Sequence, residues 1–190
     1  MTGEGDTVLG ESIYYILQPQ VSFVLMDHTT GYVRAISGGR GQKELSLSLN
    51  RATDVLRQPG STFKVLTAFA PALDTRGATL STVYYDAPFT VGAKTFRNWY
   101  SSKGYMGYST IRDGIVYSMN IVAVRCMMET GSPELGIEYA RKFGITSLTE
   151  TDYNAATALG GLTLGVSNLE LTAAYGTIAN GGIYTKPVFF

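Results

Sequence analysis

From Ser61 the chain reads STFKVLTAFAPALD, and Phe63, Val65, Leu66, Phe69 and Ala70 leave almost no side of that segment polar. A helix that is apolar all round has to be covered by other elements. The pattern therefore predicts a central, buried helix over 61–73, with the remaining chain arranged around it. Pro71 is expected to bend or end it. The RQPG immediately before halts the backbone, so Ser61 opens the helix. Lys64 follows one turn later on the same face. A lysine in such a run finds little solvated surface, and a lysine is rarely buried unless something pairs with it or uses it.

Two readings of the pair follow. In one, Ser61 caps the helix and Lys64 is a solvated charge. In the other, Ser61 is a nucleophile and Lys64 its base. Burial and the positive helix end both disfavour the ammonium, giving an amine that is neutral at neutral pH. Such an amine can take the proton of a serine hydroxyl. Free N–H groups at the helix start point where an oxyanion would develop. With 14 serines and 6 lysines, about 0.4 accidental S-x-x-K matches are expected, so spacing alone does not choose. The apolar surroundings of Lys64 favour the second reading.

Composition removes other classes of function. A chain of 190 residues suits one domain or most of a larger one, and 45% apolar against 16% charged residues supports a sizeable core. Fifteen basic and fifteen acidic residues, with no basic block, exclude the concentrated positive face a nucleic-acid partner requires. Cys126, the sole cysteine, lies in the apolar run NIVAVRCMM and reads as a buried thiol. His28, the sole histidine, sits in the turn DHTTG, leaving almost no material for a Ser-His-Asp triad or a histidine metal site. No stretch approaches the roughly twenty apolar residues of a membrane span, and MTGEGDTVLG lacks the regions of a signal peptide.

VSFVLMD, HTTG and YVRAISG predict a β-hairpin over 21–37, after a leading segment over 1–20. Its near-continuous apolar runs suggest strands buried on both faces. A polar loop follows, with a short helix near Asn50–Val55. Residues 77–107 are aromatic and dotted with glycine, which suggests a functional loop carrying a small hairpin. Ser109 or Thr110 with Asp113 forms a capping box ahead of the apolar helix IVAVRCMMET. SPELGIEYARKFG has a serine cap, proline at the first position and a terminal glycine. Ser167 and Glu170 box the start of SNLELTAAYGTIANGG, and the closing IYTKPVFF suggests a strand beginning. The order is a hairpin and then a run of helices, an α+β layout.

YSMN places Ser118 and Asn120 at the junction of two apolar helical stretches, where a bend can turn both into one pocket. The pattern is loose on its own, because SLN at Ser48–Asn50 matches S-x-N equally well. Order supplies the context. RQPGSTFK, then RNWY, then GYSTIRDGIVYSMNIVAVR, then ALGGLTLGVSNLELTAAYGTIANGG resembles the transpeptidase domain of penicillin-binding proteins, most closely the bifunctional class A type. The likeness runs through nearly all of 21–184. SLN precedes the nucleophile and so has the wrong order.

The resemblance implies a β-lactamase/transpeptidase-like fold, an antiparallel sheet flanked by helices with an all-helical half. It implies Ser61 as the acylated nucleophile and Lys64 as its base. Ser118 would shuttle the proton to the leaving amine, and Asn120 would hold the amide of the incoming stem peptide. The implied reaction cleaves the terminal D-Ala-D-Ala bond of a peptidoglycan stem peptide and passes the acyl group to a neighbouring amine. No metal or organic cofactor is implied, and β-lactam antibiotics would acylate the same serine. The location implied is extracytoplasmic, at the cell surface or in the periplasm, in a parent anchored to the cytoplasmic membrane and working with cell-wall synthesis machinery. Related alternatives are a serine β-lactamase, a β-lactam sensor and a non-catalytic module whose polar pairs are only caps.

One motif departs from the family. K-T-G or K-S-G is absent; neither AKTF nor SKGY matches it. In the family that motif lies downstream of S-x-N, on a core strand that also supplies a second oxyanion donor. The expectation is therefore a single transpeptidase domain over 1–190, cut short at its C-terminal side, with an incomplete sheet and poor activity alone.

Overall fold

The computed structural model describes residues 19–42 and 46–189. Most of the leading segment expected over 1–20 lies outside them. Six strands form three antiparallel pairs among the described residues: β1 (Phe23–Met26) with β2 (Val33–Ser37), β3 (Val83–Asp86) with β6 (Gly107–Thr110), and β4 (Phe89–Val91) with β5 (Lys94–Phe96). The longer helices are α1 (Ala70–Thr75), α2 (Ile111–Val116), α3 (Asn120–Arg125), α4 (Pro133–Lys142) and α5 (Asn168–Ala179).

The helix expected over 61–73 is the centre of the molecule. A 3-10 turn at Gly60–Thr62, a π turn at Val65–Phe69 and α1 run into one another. Phe63 and Leu66 are fully buried in one apolar cluster, with Ile145, Leu162 and Ala174. Ala68, Phe69 and Ala72 are buried in the other, with Ile111, Met119 and Val122. Between its ends, a helix serving two cores has little face left for solvent, which is why its sequence shows almost none. Pro71 does not end it. The Ala70 N–H reaches back five residues to the Val65 carbonyl, and this wider turn accommodates the ring before the helix continues to Thr75.

The capping signals agree with the structure. Ser132 accepts from the Leu135 N–H at 3.1 Å and starts α4. Ser167 and Glu170 close a reciprocal box on α5, and Thr110 with Asp113 does the same for α2. Two expectations need correction. β1 is covered on one face only: Val24 and Met26 are half-buried, Met26 against α5, while Phe23 and Leu25 are exposed. A near-continuous apolar run thus hides an ordinary alternation. The short helix near Asn50–Val55 is a single turn, with the Asp54 N–H on the Asn50 carbonyl and the Asp54 carboxylate accepting back from the Asn50 N–H. Beyond it the chain is drawn out so that Arg57 can pair with Val166.

The chain's close begins a strand pairing, as Val188 bridges Tyr32 in parallel beside β2. Residues 77–107 carry the expected hairpin, β4–β5. No described helix is long and apolar enough to cross a membrane.

Cys126 is fully buried, its Sγ donating to the Ala68 carbonyl at 3.4 Å, and burial pushes its thiol up to about 11. At pH 8 an aromatic disulfide reagent should therefore react with the native protein at least about a hundredfold more slowly than with free cysteine. Rapid reaction without unfolding would contradict this placement.

Candidate active site

The approach to Ser61 is held from a distant part of the chain. Arg57 and Val166 exchange two backbone hydrogen bonds, 2.9 and 2.8 Å. The Gln58 side chain then acts as a backbone mimic. Its Oε1 accepts from the Leu162 N–H at 2.7 Å and its amide donates to the Leu162 carbonyl. Gly60 follows in a left-handed conformation, φ 56°, which aims the next residue away from the incoming strand. Gly160 packs directly on it. A Cβ added at Gly160 would lie 2.3 Å from the Gly60 carbonyl oxygen.

Ser61 is exposed at this helix start and does not cap it. Pro59 holds the cap position, and among the described residues no side chain bonds the first-turn N–H groups. Lys64, one turn on, is only 2% exposed. Its Nζ donates to the Ser118 carbonyl at 2.6 Å and to Ser118 Oγ at 3.0 Å. Burial pushes the Lys64 amine down to about 8. The shift runs in the direction expected from the sequence, toward the neutral amine. The two Ser118 acceptors give the ammonium partners that offset part of its lost hydration. At the helix start, therefore, Lys64 is bonded to Ser118, and no hydrogen bond joins it to Ser61.

Ser118 sits between α2 and α3 with φ 50°, a left-handed conformation that costs a non-glycine residue about 1 kcal/mol. Met119 is fully buried and anchors the bend, so the polar residues on either side of it are carried toward the surface. Asn120 opens α3 and donates through Nδ2 to the Arg97 carbonyl at 2.9 Å. Of the four residues singled out in the sequence, the structure bonds Lys64 to Ser118 and sets Asn120 two positions further on. Among the described residues, the Ser61 hydroxyl has no hydrogen-bond partner.

The sequence alone assigns no part to Gln58, Asp86, Asn98 or Gly160. RNWY stands out there only as a family element, yet its residues grip the S-x-N bend. Besides the Arg97 bond, Asn98 Oδ1 accepts from the Ile121 N–H at 3.1 Å and Trp99 Nε1 donates to the Tyr117 carbonyl at 3.2 Å. Trp99 and Tyr117, with Tyr105 and Met106, line an apolar groove of about 270 Å³ beside the bend. Among the described residues there is no group of three carboxylate, histidine or cysteine side chains placed to hold a metal.

Chemically, the arrangement sets an exposed hydroxyl at a helix start one turn from a buried amine that donates to a second hydroxyl. An amine that titrates near neutrality and touches a hydroxyl can move a proton between two oxygens.

Residues 21–190 match the family model described as the penicillin binding protein transpeptidase domain. The chain is 39% identical to penicillin-binding protein 1A of Clostridium tetani over 188 residues, covering 92% of this chain and 24% of that protein. It is 40% identical to penicillin-binding protein 1F of Bacillus subtilis over 168 residues, covering 88% of this chain and 22% of that protein. Among solved structures it resembles penicillin-binding protein 1A from Haemophilus influenzae, with TM-score 0.75 and 30% identity, over 89% of this chain and 24% of that one. It also resembles the penicillin-binding protein PonA1 from Mycobacterium tuberculosis, with TM-score 0.76 and 26% identity, over 88% of this chain and 44% of that one. The chain thus spans about a quarter of the length of the curated relatives it matches.

Proposed function

Because the chain belongs to the penicillin-binding protein transpeptidase family, we propose that it carries the nucleophile and proton relay of a serine-type D,D-transpeptidase that cross-links peptidoglycan. Ser61 Oγ attacks the carbonyl carbon of the penultimate D-Ala of a stem peptide. Lys64, in its neutral form, takes the Oγ proton as the carbon–oxygen bond forms. The tetrahedral intermediate collapses with cleavage of the C–N bond, and the proton passes from Lys64 through Ser118 Oγ to the departing D-Ala amine. The ester left on Ser61 is then attacked by the amine of a neighbouring stem, whose backbone Asn120 holds. The new C–N bond forms as the C–O bond to Ser61 breaks, and the amine's proton passes through Ser118 and Lys64 back to Ser61 Oγ. If water attacks instead, the same chemistry is a carboxypeptidase reaction.

The observation that carries this reading is the buried Lys64 amine on Ser118 Oγ at 3.0 Å, one helical turn from an exposed serine that caps nothing. A solvated charge would give neither the burial nor the amine pushed down to about 8. β-Lactams would acylate Ser61 by the same attack, ring opening replacing loss of D-Ala. We further assign residues 1–190 to one domain, with the site facing the extracytoplasmic side and the whole protein held at the membrane, as part of cell-wall synthesis.

The test is mass spectrometry of the protein after penicillin treatment, followed by peptide mapping. One penicilloyl adduct on Ser61 is the expected result, and it should disappear in Ser61→Ala. An adduct on Ser118, or on no serine, would remove the assignment.

A further inference from the structure

Asp86 is 1% exposed and Asn98 4% exposed, and neither takes part in the chemistry proposed for Ser61. Among the described residues no cationic side chain pairs with Asp86. A buried carboxylate without a cation has to be satisfied by hydrogen-bond donors. Asp86 has three: Asn98 Nδ2 at 2.5 Å, the Met106 N–H at 2.8 Å and the Tyr100 hydroxyl at 3.3 Å. The Asn98 amide can adopt one orientation only. Its NH₂ must face a carboxylate that accepts, and its oxygen must face the Ile121 N–H, which donates.

The Ile121 N–H belongs to the first turn of α3. That helix has no cap of its own, since Met119 stands at its cap position with an apolar side chain buried in the core. Asn98 supplies the missing cap from 23 residues upstream. Arg97 and Trp99 bond the same bend on either side of it. Three consecutive residues are thus splinted to Tyr117–Ile121, around a serine held at φ 50°. A conformation of that kind persists only where its surroundings over-determine it.

We infer that Asn98, locked by Asp86, is a positioning residue that holds Ser118 Oγ on Lys64 and Asn120 toward substrate. Its catalytic consequence rests on the function proposed above; its structural claim does not. When the splint is lost, Ser118 relaxes out of the left-handed conformation and Oγ leaves the amine.

The test exchanges the two side chains in the full-length protein. In Asn98→Asp two carboxylates face each other. In Asp86→Asn an amide turns an NH₂ toward the Asn98 NH₂ or toward the Met106 N–H, or Asn98 flips so that two donors meet at Ile121. Each single variant should be acylated by a fluorescent penicillin about tenfold or more slowly, on the scale of losing a charged buried hydrogen bond. The double exchange, Asp86→Asn with Asn98→Asp, restores every donor to an acceptor. The amide then at position 86 donates to the carboxylate at position 98, which in turn accepts from the Ile121 N–H. It should recover to within about threefold of the original protein, a coupling that independent structural damage would not produce.

Hydrogen exchange at the Ile121 amide should accelerate at least about tenfold in each single variant and return in the double. Thermal unfolding is recorded for all, and Asn98→Ser replaces any single variant that does not fold. Unchanged exchange at Ile121, unchanged acylation in folded single variants, or a folded double exchange with no recovery would each overturn the inference. If the original protein forms no adduct at Ser61, the proposed function falls. Exchange at Ile121 in the single and double variants then decides the splint by itself.

Discussion

Lys64→Arg is expected to slow acylation by a penicillin by about a hundred- to ten-thousandfold, the range of a lost general base. A guanidinium stays protonated at any accessible pH, so it can fill the volume and donate to Ser118 but cannot take a proton. The pH profile carries the sign. Burial lowers the Lys64 amine to about 8, so below that value the neutral fraction grows about tenfold with each pH unit. The acylation rate of the original protein should climb accordingly from pH 6 and level off above about 8. The arginine variant should be slow and flat over the same range. A rate for the original protein that is independent of pH between 6 and 8 would mean that Lys64 does not have to lose a proton before reaction. An arginine variant with near-normal rates would remove it as the base.

What is legible in the sequence is local. The caps of α2, α4 and α5 lie within four residues of the groups they satisfy, so adjacent letters encode them. The central helix announces itself because burial on both sides removes nearly every charged residue except Lys64. That lysine is therefore visible as an anomaly, and its partner is not. Ser118 lies 54 residues away, and only the family order places it near. The desolvation of Lys64 can be read from its neighbours in sequence, whereas the two acceptors on Ser118 cannot. The hairpin misleads because VSFVLMD does not show which of its faces α5 covers. The Gln58–Leu162 clamp, the Asp86–Asn98–Ile121 chain and the Gly160 contact all join remote segments, and each uses a residue type that is common in loops. Nothing in a single letter separates an asparagine that caps a distant helix from one in a turn.

Gly160 makes that point measurable. Gly160→Ala should destabilise the protein by about 2–4 kcal/mol, combining a left-handed alanine with forced displacement of a neighbouring backbone. Gly160 has φ 71°, and its missing Cβ would meet the Gly60 oxygen at 2.3 Å and nitrogen at 2.6 Å. Gly181 provides the control, because its φ of 65° is similar and nothing lies within 4 Å of an added Cβ. Gly181→Ala should cost only about 1 kcal/mol, the conformational part alone. The difference between the two variants in denaturant unfolding then isolates the close approach. That approach bears on chemistry, since Gly60 precedes Ser61 directly. Relief of the clash moves the Gly60 peptide by about 1 Å, and misplacing a nucleophile by that much costs about a hundredfold in rate. Acylation of Gly160→Ala should fall on that scale while Gly181→Ala keeps its rate. Equal stability losses in the two alanine variants, or a Gly160→Ala protein acylated at the normal rate, would show that Gly160 does not set the position of the nucleophile.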